Sequence, residues 1–168
     1  DVSIGALPVD AAQAEGFGLM HTNDHGRIQE FREKPKGEEL KAMWVDTSRL
    51  GLSAEEALKR PYLASMGIYV FNREVLTRLL DNTLTDFGKH IIPAAIESER
   101  VFSYVFQGYW EDVGTIRAYF EANLDSTADL PRFNFFDMSA PIFSRPLFLP
   151  GSKINGARID HAVISDGC

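Results

Sequence analysis

The run Tyr62 to Phe71, YLASMGIYVF, is the most apolar stretch of this chain, and β-branched and aromatic residues dominate its second half. It reads as a central, buried strand. Nothing in the chain approaches the length of apolar sequence needed to span a membrane. The flanking segments set the class. FGLMHT (Phe17 to Thr22) and RIQEFREKP (Arg27 to Pro35) are strand candidates around the turn NDHG, where Asp24 and Gly26 can supply positive φ. The region Lys36 to Pro61 is long and mostly polar. Its one helical candidate is Ser53 to Lys59, with Ser53 and Glu56 spaced as a capping box. Asn72 can cap a helix carrying Val75, Leu76, Leu79 and Leu80. Asp86 can cap another carrying Ile91, Ala95 and Ile96, with Pro93 inside it as an irregularity. VFSYVFQGYW (Val101 to Trp110) gives one more strand and a turn, and Thr115 can cap an amphipathic helix bearing Ile116, Tyr119, Phe120 and Leu124. Strands alternating with helices imply an α/β domain with a sheet between helical layers.

The character changes after Leu124. Pro131, Pro141, Pro146 and Pro150 interrupt a passage with no helical period. KINGARIDHAVISDGC then spaces Ile154, Ile159 and Ile164 with turn residues between them. That spacing suggests the first rungs of a β-helix. So short a β-helix cannot bury its own core, so the natural chain is expected to continue past Cys168. It begins with Asp1 rather than Met, so its true start, with any targeting segment, is expected to lie upstream. The expected organisation is one domain over residues 1–130, a linker over 131–150, and the start of a second, all-β domain over 151–168.

Charge narrows the partners. The 168 residues carry 17 Lys+Arg against 24 Asp+Glu, a formal net of -7, with no basic run. This argues against nucleic acid as a partner, while a few local cations could still hold a phosphorylated small molecule. The one cysteine, Cys168, permits no internal disulfide and no Cys-rich zinc site, and it is expected to be inert. His21, His25, His90 and His161 show no metal-ligand spacing and read as structural or surface residues.

A few residues could carry chemistry. In EFREKPKG, Glu33 and Lys34 are adjacent before Pro35. Neighbours on an extended strand point to opposite faces, so both serve one ligand only if the strand twists or ends there. Pro35 favours an ending and is expected to hold Lys34 extended. The alternative is a solvated charge pair closing a strand. Asp112, in GYWEDVGT, stands just ahead of the Thr115 cap. There it can ligate Mg²⁺ or simply compensate a helix N-terminus. Ser65, inside the apolar strand, needs a partner for its hydroxyl, either backbone or a sugar. Gly18 within a strand marks either a close approach or a bulge.

Taken in order, FGLM, EFREKPKGEELKAMWVDT, SMGIYVF, DFGKHIIPAAI, GYWEDVGTIRAYFEANL and PIFSRPLFLPGSKI resemble the ADP-glucose pyrophosphorylase (glucose-1-phosphate adenylyltransferase) family over nearly the whole chain. The long segment between Lys34 and Ser65 looks more like the cyanobacterial and plant members. EKP alone would suit any sugar nucleotidyltransferase, whereas GYWEDVGT with the proline-rich passage is more specific. The resemblance implies the C-terminal part of a Rossmann-like nucleotidyltransferase domain running into a left-handed β-helix. It implies synthesis of ADP-glucose and pyrophosphate from ATP and glucose 1-phosphate with Mg²⁺, for glycogen or starch. It further implies a tetramer, homomeric or heteromeric, in bacterial cytoplasm or plastid stroma. Gly18, Glu33, Lys34 and Ser65 fall on glucose 1-phosphate contacts, and Asp112 on one of two metal-holding aspartates. The family's Gly-rich ATP loop and second metal aspartate have no counterpart between Asp1 and Cys168. Two alternatives stay open at this point: a sugar nucleotidyltransferase using another nucleotide, and a non-catalytic regulatory subunit.

Overall fold

The computed structural model describes residues 1–167, so the inertness expected of Cys168 lies outside the described residues. The chain divides into two compact units, Asp1–Gln107 and Gly108–Cys168.

The first unit is built on a five-stranded sheet of order β3-β2-β4-β1-β5. Its strands are β1 (Val2–Val9), β2 (Gly18–Thr22), β3 (Ile28–Glu33), β4 (Tyr62–Phe71) and β5 (Val101–Val105). β4 lies at the middle, as its composition predicts, but only its first half is buried. From Gly67 on it is more open, with Ile68 and Val70 exposed. β1 runs antiparallel to β4 and parallel to β5, so the sheet is mixed. The connection from β4 to β5 carries α4 (Arg73–Leu79) and α5 (Ile92–Ser98).

Two apolar layers sandwich the sheet. One gathers Val2, Ile4, Ala6, Met20, Ile28, Leu63 and Val101 against Val75 of α4 and Ile92 and Ala95 of α5. The other packs Val9, Leu19, Tyr62 and Ala64 against Ala14 of α1 (Ala11–Ala14) and Leu40 of α2 (Glu38–Ala42). Alternation along each strand sends successive side chains to these opposite layers. Between β3 and β4, α2 and a 3₁₀ turn (Thr47–Leu50) join the expected α3 (Ala54–Lys59). Thr47 is fully buried there and donates its hydroxyl to the Arg60 carbonyl at 2.9 Å.

The expected caps form. Ser53 and Glu56 complete the capping box of α3, and Asn72 accepts from the Glu74 N–H at 3.0 Å. In the β2–β3 hairpin only Gly26 takes positive φ, at 76°. Asp24 is not needed in that geometry because Asn23 Oδ1 accepts from the N–H groups of His25 and Arg27.

The second unit holds α6 (Ile116–Ser126), capped by Thr115, whose hydroxyl accepts from the Ala118 N–H at 3.1 Å. No residue of α6 is buried: Ile116, Tyr119, Phe120 and Leu124 are all exposed. Residues 127–167 carry turns and bends without helix or strand, Arg132 stacking over the Tyr109 ring at 4.5 Å. No helix of the described residues is long and apolar enough to cross a membrane.

Candidate functional site

Three of the residues singled out in the sequence meet in one transverse row of the sheet. Gly18 of β2 is directly opposite Glu33 of β3. On its other side, Leu19 faces Ala64, which sets Gly18 opposite Ser65 of β4. Ser65 in turn faces Ala6 of β1. Directly opposed residues present their side chains to the same face, so Glu33 and Ser65 flank Gly18 on one side of the sheet.

Gly18 is a close approach and not a bulge, since the β2–β3 register is regular there and shifts only between His21 and Thr22. A Cβ at Gly18 would lie 2.9 Å from both Phe31 Cε1 and Glu33 Oε2. The ring and the carboxylate therefore fold over the bare backbone of the neighbouring strand.

Lys34 is the correction to the sequence expectation. It is not extended: its φ is 49°, in the left-handed region. Such a conformation costs a non-glycine residue about 1–2 kcal/mol. The αR region is disfavoured before Pro35, but αL is not the usual alternative, so tertiary contacts decide. The Lys34 N–H donates to the Phe17 carbonyl at 3.1 Å, and Pro35 is buried. The bend at Lys34 ends β3 and removes the strict opposition of neighbouring side chains. The two charges also differ from nearby ones in their pairing. Glu30 pairs with Arg32 at 2.6 Å and Lys41 with Glu38 at 2.6 Å. Among the described residues, Glu33 and Lys34 enter no ion pair or side-chain hydrogen bond.

Ser65 is buried, at 6% exposure, and its Oγ accepts from the Gly67 N–H at 3.2 Å. Gly67 has φ 70° and lies in the irregular stretch of β4 where the pairing with β1 shifts register. That bond uses one acceptor site, so the Ser65 O–H can still donate. Both functions weighed for this hydroxyl are therefore compatible.

A residue that the sequence reading passed over completes the geometry. Ahead of Pro93 the helix opens into one π-turn, Phe87–Ile91, and Pro93 stands in the first turn of α5, where its missing N–H breaks no helical bond. The Phe87 ring stacks on Tyr69 at 5.8 Å and meets Phe71 edge-on at 6.1 Å. This brings Gly88 against Glu33: a Cβ at Gly88 would lie 2.9 Å from Glu33 Cδ and closer still to Oε2. The motif DFG was the available signal, since a glycine inside a predicted helix has a reason to be there.

Asp86 caps this turn, accepting from the Lys89 N–H at 2.8 Å. That bond, with the nearby charges of Lys89 and His90 and against a partial desolvation effect, holds its carboxyl below the ordinary 3.8. The folded value is depressed, so the stabilisation is present above the ordinary value and is lost as pH falls through the lower folded one. Amide exchange at Lys89 should therefore stay protected on acidification until below pH 3.8. Loss of protection already near about pH 5 would show that the carboxylate cap does not hold the turn.

Asp112, in the second unit, is exposed and folds back over Gly114, where a Cβ would lie 3.0 Å from Oδ2. It enters no ion pair among the described residues, and these contain no group of three or more His, Cys, Asp or Glu able to hold a metal. A single open carboxylate is what Mg²⁺ accepts when substrate phosphates and water fill its other positions. The histidines behave as structural or surface groups: His21 Nδ1 pairs with Glu30 at 3.2 Å, His161 Nε2 with Asp129 at 3.2 Å, and His25 and His90 are exposed.

A mixed five-stranded sheet between helical layers, with a carboxylate and a hydroxyl in one row across β3, β2 and β4 and a lysine beside them, is consistent with the frame of a nucleotidyltransferase domain. The family model described as nucleotidyl transferase matches residues 1–129, and the chain belongs to that family. Enzymes of this class generally draw on a divalent metal. Over 173 aligned residues the chain is 49% identical to the glucose-1-phosphate adenylyltransferase small subunit, chloroplastic/amyloplastic, of Triticum aestivum. That alignment takes in 100% of this chain and 37% of the wheat protein, so the chain spans well under half of that relative.

Proposed function

We propose that this chain is the sugar-phosphate side of a glucose-1-phosphate adenylyltransferase, which makes ADP-glucose and pyrophosphate from ATP and glucose 1-phosphate for starch or glycogen. The observation that carries this is the row Glu33–Gly18–Ser65, with the unpaired Lys34 at its end. Glu33 accepts hydrogen bonds from glucose hydroxyls, and Ser65 and the Gly18 backbone fix the ring. Lys34 pairs with the sugar phosphate as a point charge. The phosphate oxygen of glucose 1-phosphate attacks the α-phosphorus of ATP in line, and pyrophosphate leaves. No protein nucleophile is required, because the attacking phosphate is already ionised. Lys34 lowers the repulsion between two anions and orients the attack. Asp112 would hold Mg²⁺, which neutralises phosphate charge when bound.

The reading extends to organisation. Residues 1–130 form the sugar-binding half of the catalytic domain, 131–150 a linker, and 151–168 the start of a left-handed β-helix. The full protein is a tetramer in plastid stroma or bacterial cytoplasm, and the ATP loop lies outside this chain. The wheat relative is chloroplastic/amyloplastic, which supports the plastid.

The isolated 168-residue chain is accordingly expected to form no ADP-glucose from ATP and glucose 1-phosphate, while the full-length protein does. Turnover by the isolated chain would sink the division of the site. A full-length protein that accepts UTP, dTTP or GTP in preference to ATP would overturn the choice of nucleotide.

A further inference from the structure

We infer that Gly88 is a positioning residue for the sugar site, forming with Gly18 a two-glycine cradle that fixes the Glu33 carboxylate. This rests on the assignment of Glu33 to the sugar hydroxyls. Glu33 packs against bare backbone at two positions. A Cβ at Gly18 would come within 2.9 Å of Oε2, and one at Gly88 within 2.9 Å of Cδ and 3.4 Å of Cγ. No hydrogen bond or ion pair of the described residues orients this carboxylate. Its direction is therefore set by shape: two glycines from elements far apart in sequence leave the space that the carboxylate fills. Phe87, anchored on Tyr69 and Phe71, fixes the π-turn that carries Gly88. A carboxylate that accepts bonds from particular hydroxyls needs such fixing, because misplacing a contact by an ångström can cost catalysis up to about a hundredfold.

The geometry separates this role from a structural one. The atoms that a Gly88 methyl would strike are the far end of one half-exposed side chain, which can swing away, and Gly88 is free of positive φ. Alanine is also the better helix former. Gly88→Ala should leave the melting temperature of the full-length protein unchanged or raised. It should also raise KM for glucose 1-phosphate by about ten- to a hundredfold, with KM for ATP unmoved.

The decisive measurement is a double-mutant cycle with Glu33→Ala, which removes the atoms that Gly88→Ala displaces. Both single variants should raise KM for glucose 1-phosphate, and Gly88→Ala should add nothing in the Glu33→Ala background. If Glu33→Ala alone leaves that KM unchanged, the sugar role of Glu33 fails, and this inference fails with it. If Glu33→Ala is impaired but Gly88→Ala is neutral, or its effect persists in full without Glu33, the cradle alone is wrong. Should Gly88→Ala fail to fold, the double variant must fold, since the clash is gone. A double variant that also fails to fold makes Gly88 structural and overturns the inference.

Discussion

Lys34→Ala in the full-length protein is expected to raise KM for glucose 1-phosphate by about 30- to 100-fold, the loss of one charge-assisted hydrogen bond to a phosphate. KM for ATP should move by no more than about twofold. The selectivity follows from position. Lys34 ends β3 beside the row of Glu33, Gly18 and Ser65, and the left-handed backbone at φ 49° removes the strict opposition of its side chain to that of Glu33. A strained lysine that pairs with no acid is a poor investment for stability alone, and such strain tends to be kept where a site needs it. Steady-state kinetics with each substrate varied in turn provides the check. A defect confined to ATP would reassign Lys34 to the nucleotide.

Asp112→Asn should lower kcat by about a hundredfold or more and shift the Mg²⁺ concentration needed for half-maximal rate upward, with the circular dichroism spectrum and melting curve unchanged. The amide keeps the shape of the carboxylate but loses the charge that a hard cation requires. Folding is insulated from the change because Asp112 is exposed, makes no ion pair among the described residues, and leaves the capping of α6 to Thr115. Normal turnover with normal Mg²⁺ dependence would reduce Asp112 to a charge near a helix end.

Much of the fold was legible in the sequence, and the exceptions have physical causes. β1 escaped notice although it joins β4 to β5, because Gly5 and Pro8 interrupt VSIGALPV and both disfavour a central strand. Pro8 is tolerated because β5 pairs with β1 only as far as Ala6, leaving no ladder on that side for it to break. α2 and the 3₁₀ turn were hidden in polar sequence, since Leu40 and Thr47 are buried singly and not as a periodic stripe. The helical period of Ile116, Tyr119, Phe120 and Leu124 did predict α6, yet these side chains remain exposed. Period reports a helix, and only a partner surface decides whether its apolar face is covered.

By itself the sequence determined what depends on contacts within a few residues: the caps at Ser53, Asn72, Asp86 and Thr115, the strand character of YLASMGIYVF, and the irregularity at Pro93. It also named Gly18, Glu33, Lys34, Ser65 and Asp112, because residue type and order carry the family likeness. Tertiary structure alone decided how the first four stand together. Register placed Glu33, Gly18 and Ser65 in one row, a bond from Lys34 to the Phe17 carbonyl overrode the extended preference before proline, and the π-turn brought Gly88 against Glu33. Each of these joins residues remote in sequence, and no local preference specifies how such segments will meet.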